Sequence, residues 1–252
     1  MAKARKGCSK RGRGGTVACC VNVTRRIVRV AIFADDAENH HIQILDGDRA
    51  ADMAHGEFES QTLLTSHIPE YVEPPIAWGT YENDPSTAFF LTRYRHLLEE
   101  LPPTSELLAI VKKLHQTAKS PNGKFGYHIT TFFGPDPMDN SWTNSWEVYY
   151  DREFRHAIDY VQARLGEGNH DAELAELAAQ IVEKVIPRLL RPLQTGGRSI
   201  TPTLCHGDLW DSNVQLDAFT RRPVLFDPCC FYGHHESQFT DPLPASYLKV
   251  KG

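Results

Sequence analysis

The pattern of hydrophobic and polar positions divides the chain into a strand-rich first part and a helical second part. Alternating, β-branched residues in "TRRIVRVAIF" and "HHIQIL" predict two strands joined by a turn at "DDAEN". Apolar residues spaced three and four apart then predict a helix over residues 47–67. Two further strands are expected around the Asn-Asp-Pro turn of "IAWGTYENDPSTAFFLTRYR". We therefore predict an N-terminal α+β lobe over residues 27–103.

The second part of the chain favours helices. "SELLAIVKKLHQTA" predicts a helix with Thr104 or Ser105 as its N-cap. "SWTNSWEVYYDREFRHAIDYVQARL" predicts a second helix, and "DAELAELAAQIVEKVIPRLLRPL" a third that Pro187 kinks or breaks. A polar loop, "LCHGDLWDSN", and a short strand, "VLFD", follow. Residues 104–252 are thus predicted to form a helical C-terminal lobe that carries this loop.

Charge and composition narrow the class of protein. With 252 residues and 41% hydrophobic residues, the chain can bury a core. The net charge is -5, yet the first 34 residues contain nine Lys or Arg and no acid. No aromatic residues alternate with these arginines, so we predict a disordered basic arm over residues 1–26 and no nucleic-acid partner. Because no apolar run has the length of a membrane span and no signal-peptide core is present, we expect a cytoplasmic protein without a membrane partner.

The polar loop contains residues in the register of a kinase catalytic loop. His206, Asp208 and Asn213 match H-x-D-x4-N, and Asp227 ends a predicted strand 14 residues beyond Asn213. We predict Asp208 as the general base, Asn213 and Asp227 as magnesium ligands, and His206 as a scaffold residue. Two alternatives stay open: turn-forming polar residues without a function, and a zinc module built from Cys205, Cys229, Cys230 and the flanking histidines.

Three motifs resemble a known family. "HGDLWDSN", "VLFDPCCFYGH" and "GKFGYH" are similar to the fructosamine kinase or ketosamine-3-kinase family, including protein-ribulosamine 3-kinases, and "GEFES" and "PIAWGTY" are most like its fungal members. The resemblance implies an α+β, protein-kinase-like fold of two lobes, similar to aminoglycoside phosphotransferases. It also implies ATP- and Mg²⁺-dependent phosphorylation of a sugar hydroxyl on ketosamines, carried by glycated proteins or by small amines.

The resemblance also assigns further residues. It implies that Glu57 faces the lysine of the preceding strand, but Gln43 occupies that lysine position. It places the backbone of Arg93, Tyr94 and Arg95 at the adenine, although an acidic residue is expected at Arg93. The predicted walls of the sugar site are Trp210, Tyr232 and His234.

The two ends depart from the family pattern. The N-terminus is atypical and the C-terminus is short, so we expect a fold that is incomplete at both ends. The alternative function is a catalytically impaired, pseudokinase-like nucleotide-binding or interaction protein from a truncated gene.

Overall fold

The N-terminal lobe is built on an antiparallel sheet. The computed structural model describes residues 17–23, 26–35, 38–165 and 170–238. Five strands lie in the order β1-β2-β3-β5-β4. Their bounds are β1 (Val17–Val23), β2 (Arg26–Asp35), β3 (Glu38–Asp46), β4 (Pro75–Tyr81) and β5 (Asp84–Arg93). Helix α1 (Ala50–His67) connects β3 to β4. The four strands and the helix predicted from the hydrophobic pattern are therefore confirmed.

Strand β1 lies inside the segment that the charge pattern predicted to be a disordered arm. Val17 pairs with Ile32 and Val23 with Arg26, so β1 and β2 form a hairpin. The prediction is wrong for residues 17–23 because "VACCVNV" has the apolar, β-branched composition of a strand, which the surrounding positive charge obscured. Residues 1–16 of the predicted arm lie outside the described residues.

Helix α1 is packed closely against both lobes. Ala50 and Ala54 form a small buried cluster with Leu45 and Ala88 of the sheet. On another face, a Cβ added at Gly56 would lie 3.1 Å from the carbonyl oxygen of residue 130 in the second lobe. Residue 60 is also tied to that lobe, because its hydroxyl accepts a hydrogen bond of 3.1 Å from the backbone of residue 230. These contacts fix α1 between the sheet and the second lobe.

The second lobe combines helices with short strands. The helices are α2 (Thr104–Thr117), α3 (Trp146–Arg164), α4 (Ala172–Gln180) and α5 (Ile186–Leu190). The strands are β6 (Leu97–Leu98), β7 (Phe132–Phe133), β8 (Asp136–Pro137), β9 (Thr203–Cys205), β10 (Val214–Asp217), β11 (Pro223–Leu225) and β12 (Phe231–Gly233). The main core contains Leu107, Ile110 and Leu114 of α2, together with Tyr149 of α3 and Phe231 of β12.

Helix boundaries differ from the predicted ones for local reasons. The N-cap of α2 is Pro103, with no side-chain cap hydrogen bond, instead of Thr104 or Ser105. Helix α3 begins at Trp146 because the Ser145 hydroxyl accepts a hydrogen bond from the backbone of residue 148 at 3.3 Å. The predicted third helix is broken as expected near Pro187, and a π-helical turn over Ile181–Val185 separates α4 from α5. Proline has no N–H to donate, which favours such an irregularity.

Two antiparallel strand pairs position the polar loop. Strand β9 pairs with β12, and β10 pairs with β11. The loop leaves β9 at residue 206 and enters β10 at residue 214, while residues 226–230 connect β11 to β12. Both connections therefore join one strand pair, β9 with β12, to the other, β10 with β11. Within the described part of the chain, no helix is long and apolar enough to cross a membrane. The C-terminal residues 239–252 lie outside the described residues.

Candidate active site

The second residue of the polar loop is a glycine that no other residue could replace without strain. Gly207 has a φ of +87°, and a Cβ placed there would lie 2.0 Å from the carbonyl oxygen of Cys229. Next to it, the backbone N–H of Cys229 donates a hydrogen bond of 2.9 Å to the carbonyl of His206. The loop therefore lies directly against the segment that follows Asp227.

Asp208 and Asn213 are joined within the loop. The Asn213 side-chain nitrogen donates hydrogen bonds of 2.9 Å to the Asp208 carboxylate and to the Asp208 carbonyl. Asn213 is buried, and its backbone carbonyl accepts a hydrogen bond of 3.2 Å from the N–H of Phe226. Because both of these amide contacts use the nitrogen, the amide oxygen of Asn213 is the atom available to a metal ion.

Asp227 lies next to this pair in an unusual backbone conformation. Its φ is +54°, in the left-handed region that residues other than glycine adopt rarely. The side chain is exposed to the cleft, yet dense protein atoms around it remove part of its hydration. This desolvation, followed by the nearby Asp208 carboxylate, raises the pKa of Asp227 to about 6. The two carboxylates therefore repel each other, as expected of like charges placed close together.

His206 is buried behind the loop. Its ring forms a hydrogen bond with the backbone of Phe226, and burial lowers its pKa to about 4. The imidazole is consequently neutral at neutral pH and does not face the cleft as a charged group. This position is suited to a scaffold residue that joins the loop to the end of β11.

Gln43 and Glu57 meet where the resemblance implied a lysine and a glutamate. With its amide nitrogen turned towards α1, Gln43 donates to both Glu57 carboxylate oxygens at 3.2 Å. Desolvation and, next, the Asp227 carboxylate raise the pKa of Glu57 well above its usual value. Gln43, Glu57, Asp227, Asp208 and Asn213 therefore form one continuous series of neighbouring polar groups.

A cavity of about 420 Å³ lies between the lobes at one end of this series. Gln43, Glu57 and Asp227 line it, as do Arg93, Tyr94 and Arg95, which connect the lobes. Apolar walls come from Phe90, Leu97, Val224, Leu225 and Phe226. The volume is within the range of small-molecule pockets, about 300–1,000 Å³.

The three predicted sugar-site residues are placed differently from one another. Trp210 is partly exposed immediately before the 3₁₀ turn at residues 211–213. Tyr232 is only 6% exposed, and its ring is stacked with that of the partly buried Trp142 at 6.0 Å, so its role as a substrate wall stays a prediction. The His234 ring lies 6.1 Å from the Trp146 ring and lines a separate groove along α2, and its role as a substrate wall likewise stays a prediction.

The zinc alternative has no geometric support. Cys205, Cys229 and Cys230 are buried free thiols, and burial raises the pKa of each. Within the described ranges, no group of three His, Cys, Asp or Glu side chains is placed to hold a metal ion. A magnesium ion at the cleft would instead have one carboxylate, Asp227, and one amide, Asn213, as protein ligands.

Sequence reasoning missed several residues that line the cavity, namely His41, Gln61, Glu73 and Thr92. Glu73 precedes two prolines and has the composition of a turn, so its local sequence contains no signal for burial. His41 could have been found, because it lies two residues before Gln43 on β3 and therefore on the same face of the strand.

The fold and cleft define a protein-kinase-like architecture. A crystal structure of a protein from Haemophilus somnus 129PT, assigned as a fructosamine-3-kinase, superposes with a TM-score of 0.66 at 18% identity. The superposition covers 92% of this chain and 74% of that one. Aminoglycoside phosphotransferase APH(4)-Ia, in a ternary complex with ADP and hygromycin B, superposes with a TM-score of 0.56 at 12% identity, covering 88% of this chain and 70% of that one.

The chain belongs to the fructosamine kinase family, whose model matches residues 14–241. It is 30% identical over 128 residues to the chloroplastic protein-ribulosamine 3-kinase of Oryza sativa subsp. japonica, covering 50% of this chain and 34% of the relative. It is 38% identical over 114 residues to the ketosamine-3-kinase of Mus musculus, covering 45% of this chain and 33% of the relative. The chain thus spans about a third of the length of these curated relatives.

Proposed function

We propose that the chain transfers the γ-phosphoryl group of ATP to a sugar hydroxyl of a ketosamine. The observation that carries this proposal is the convergence of Asp208, Asn213 and Asp227 beside a cavity lined by the residues that connect the lobes. The proposed acceptors are ribulosamine or fructosamine adducts on glycated proteins or on small amines in the cytoplasm. The proposed activity requires no membrane and no nucleic-acid partner.

The residues present fit a magnesium nucleotide. Asn213 and Asp227 offer hard oxygen atoms, and the repulsion between Asp227 and Asp208 would be relieved by a divalent cation. When bound, magnesium neutralises charge on the nucleotide phosphates. The apolar walls at Phe90, Leu225 and Phe226 suit a nucleobase, and the backbone of residues 93–95 offers it hydrogen-bonding groups.

Asp208 is the proposed general base. Its carboxylate accepts a hydrogen bond from Asn213 at 2.9 Å, which fixes its orientation. In the proposed reaction, Asp208 accepts the proton of the substrate hydroxyl while that oxygen forms a bond to the γ-phosphorus. The bond between this phosphorus and the bridging oxygen breaks at the same centre, and ADP leaves with the electron pair. The products are ADP, the phosphorylated ketosamine and one proton.

Three neighbouring residues support the base. Gly207 allows the loop to approach Cys229, and neutral His206 holds the loop against Phe226. Trp210, partly exposed at the turn that follows, is retained as the proposed wall for the sugar. Gly207 and His206 thereby hold the loop in place, and Trp210 orients the acceptor hydroxyl towards Asp208.

A second candidate function is nucleotide binding without efficient catalysis. It is favoured by the contact between Gln43 and Glu57, because a neutral amide stands where a cation would stabilise the phosphates. The cavity is present although position 43 carries no positive charge. The two candidates therefore differ in turnover, whereas both include nucleotide binding.

The test is product formation from ATP, magnesium and a small ketosamine, followed by ³¹P NMR and mass spectrometry. We expect a phosphorylated ketosamine with the wild-type chain and a loss of about 10³-fold or more with Asp208→Asn. Asp211→Asn is the matched control, because Asp211 is an exposed carboxylate of the same loop. Nucleotide binding without product would favour the second candidate, and equal product from Asp208→Asn would overturn the assignment of the base.

A further inference from the structure

Glu73 is a buried carboxylate to which the proposed mechanism assigns no part. It lies on the wall of the interlobe cavity and is 7% exposed. Its carboxylate contacts two cations from the connection between the lobes: Arg95 at 2.5 Å and Arg93 at 3.7 Å. A buried charge of this kind requires such partners, since desolvation otherwise opposes it.

The segment around Glu73 joins three parts of the cleft. Its backbone carbonyl accepts a hydrogen bond of 2.7 Å from Gln61, one turn beyond Glu57 on α1. The preceding residue, Val72, pairs with Leu225, and the N–H of Leu225 donates to the carbonyl of residue 71 at 2.8 Å. Leu225 precedes Asp227 by two residues. The position of Glu73 is therefore fixed from α1 and from β11 at once.

The arginines that Glu73 holds flank Tyr94 in the chain. Arg93 ends β5, and the N–H of Tyr94 donates to the carbonyl of Asn39 on β3 at 2.9 Å. Arg95 also approaches the buried Asp217 of β10 at 3.5 Å, which connects it to the second lobe. The side chains of both arginines are about half exposed, so their order depends on these partners.

We propose that Glu73 is a positioning residue for the nucleobase. Through Arg93 and Arg95 it fixes the backbone of residues 93–95, and with it the hydrogen-bonding groups that face the base. This inference rests on the proposed function, because it requires a nucleotide in the cavity. Its consequence is specific: Glu73 contributes to the binding of the base and does not contribute to the binding of the phosphates.

The test compares wild type with Glu73→Gln, which retains size and removes the charge. Calorimetry measures binding of Mg·ATP and of inorganic tripolyphosphate, and kinetics measure kcat and the KM for ATP. We expect Mg·ATP binding to weaken about tenfold, the loss of one charge-assisted contact, with a similar rise in KM. Binding of tripolyphosphate and kcat at saturating ATP should be unchanged.

Glu100→Gln is the matched control. Glu100 is exposed and pairs with Arg221 at 2.7 Å, so its loss removes a carboxylate–arginine pair away from the cavity wall. We expect wild-type binding from this variant. If Glu73→Gln does not fold, Arg95→Gln removes the other, more exposed member of the same ion pair. This variant should likewise bind ATP more weakly and tripolyphosphate with unchanged affinity.

The possible outcomes separate this inference from the proposed function. Wild-type ATP affinity in the Glu73→Gln chain, or equal weakening of ATP and tripolyphosphate, would overturn the positioning role and leave the proposed function intact. A wild-type chain that binds no ATP would overturn both. Weakening confined to ATP, with kcat retained, supports the inference.

Discussion

Replacement of Gln43 by lysine addresses the most unusual feature of the cleft. The amide nitrogen of Gln43 lies 3.2 Å from both carboxylate oxygens of Glu57, so an extended lysine at this position would place its ammonium near the same carboxylate. Gln43 also lines the interlobe cavity, where the ammonium would face the nucleotide phosphates. The substitution therefore adds a cation to a site that already has its acidic partner.

The magnitude follows from this geometry. Two unit charges 3.2 Å apart attract by about 5 kcal/mol at an effective dielectric constant of about 20. Desolvation of the pair offsets part of that attraction. A preorganised charge of this kind stabilises a transition state by about 3 kcal/mol, or about 100-fold in rate. The ammonium should also lower the pKa of Glu57, which desolvation and Asp227 now raise.

The assay is kcat/KM for ATP with a small ketosamine, measured for wild type, Gln43→Lys and Gln43→Met. Methionine is the control, because it retains the unbranched length of the side chain without a charge. We expect an increase of about 100-fold for lysine and no increase for methionine. Titration of the Glu57 carboxyl by ¹³C NMR should show a lower pKa in the lysine variant only.

One result would refute this reasoning. If the wild-type chain binds ATP, and Gln43→Lys folds and lowers the pKa of Glu57 but leaves kcat/KM unchanged, the lysine position does not limit catalysis. The phosphates would then lie elsewhere in the cavity.

Two further predictions concern stability. Gly207→Ala should lower the free energy of unfolding by about 3 kcal/mol in urea titrations, because its Cβ meets Cys229 at a positive φ; an unchanged midpoint would contradict the loop geometry. Burial, with smaller contributions from Asp139 and Asp136, raises the pKa of Glu153 to about 7 from 4.5. The wild-type chain therefore loses stability as the pH rises from about 4.5 to 7, and Glu153→Gln should gain about 3 kcal/mol relative to wild type between pH 4.5 and pH 8. Equal pH profiles for the two chains would contradict this assignment.

Local sequence patterns were sufficient for the longer elements, although not for β1, and for the order of the candidate catalytic groups. The spacing of His206, Asp208 and Asn213 fixes them on one short loop, and Asp227 follows a strand of apolar residues. Periodicity likewise predicted α1 and the strands around it. Each of these features depends on neighbours within a few residues, which a single sequence displays directly.

Features that depend on distant contacts could not be predicted in this way. Glu73 is buried because Arg95 and Gln61, 22 and 12 residues away in the chain, approach it in the fold. Tyr232, the predicted substrate wall, is buried because the rings of Tyr127 and Trp142, both distant in the chain, pack against it. The need for glycine at position 207 likewise arises from Cys229 on another segment. Tertiary packing decides all three positions.

The central claim is that Asn213 and Asp227, beside the proposed base Asp208, hold a nucleotide-bound divalent cation. Binding of Mn²⁺·ATP, followed by EPR, tests this claim most directly. Mn²⁺ is a suitable probe because it shares the preference of Mg²⁺ for oxygen ligands. The account predicts a signal from bound Mn²⁺·ATP with wild type and with Asp211→Asn, which removes an exposed carboxylate of the same loop. It predicts that Asp227→Asn loses this signal. Equal signals from all three chains, or none from wild type, would contradict the account.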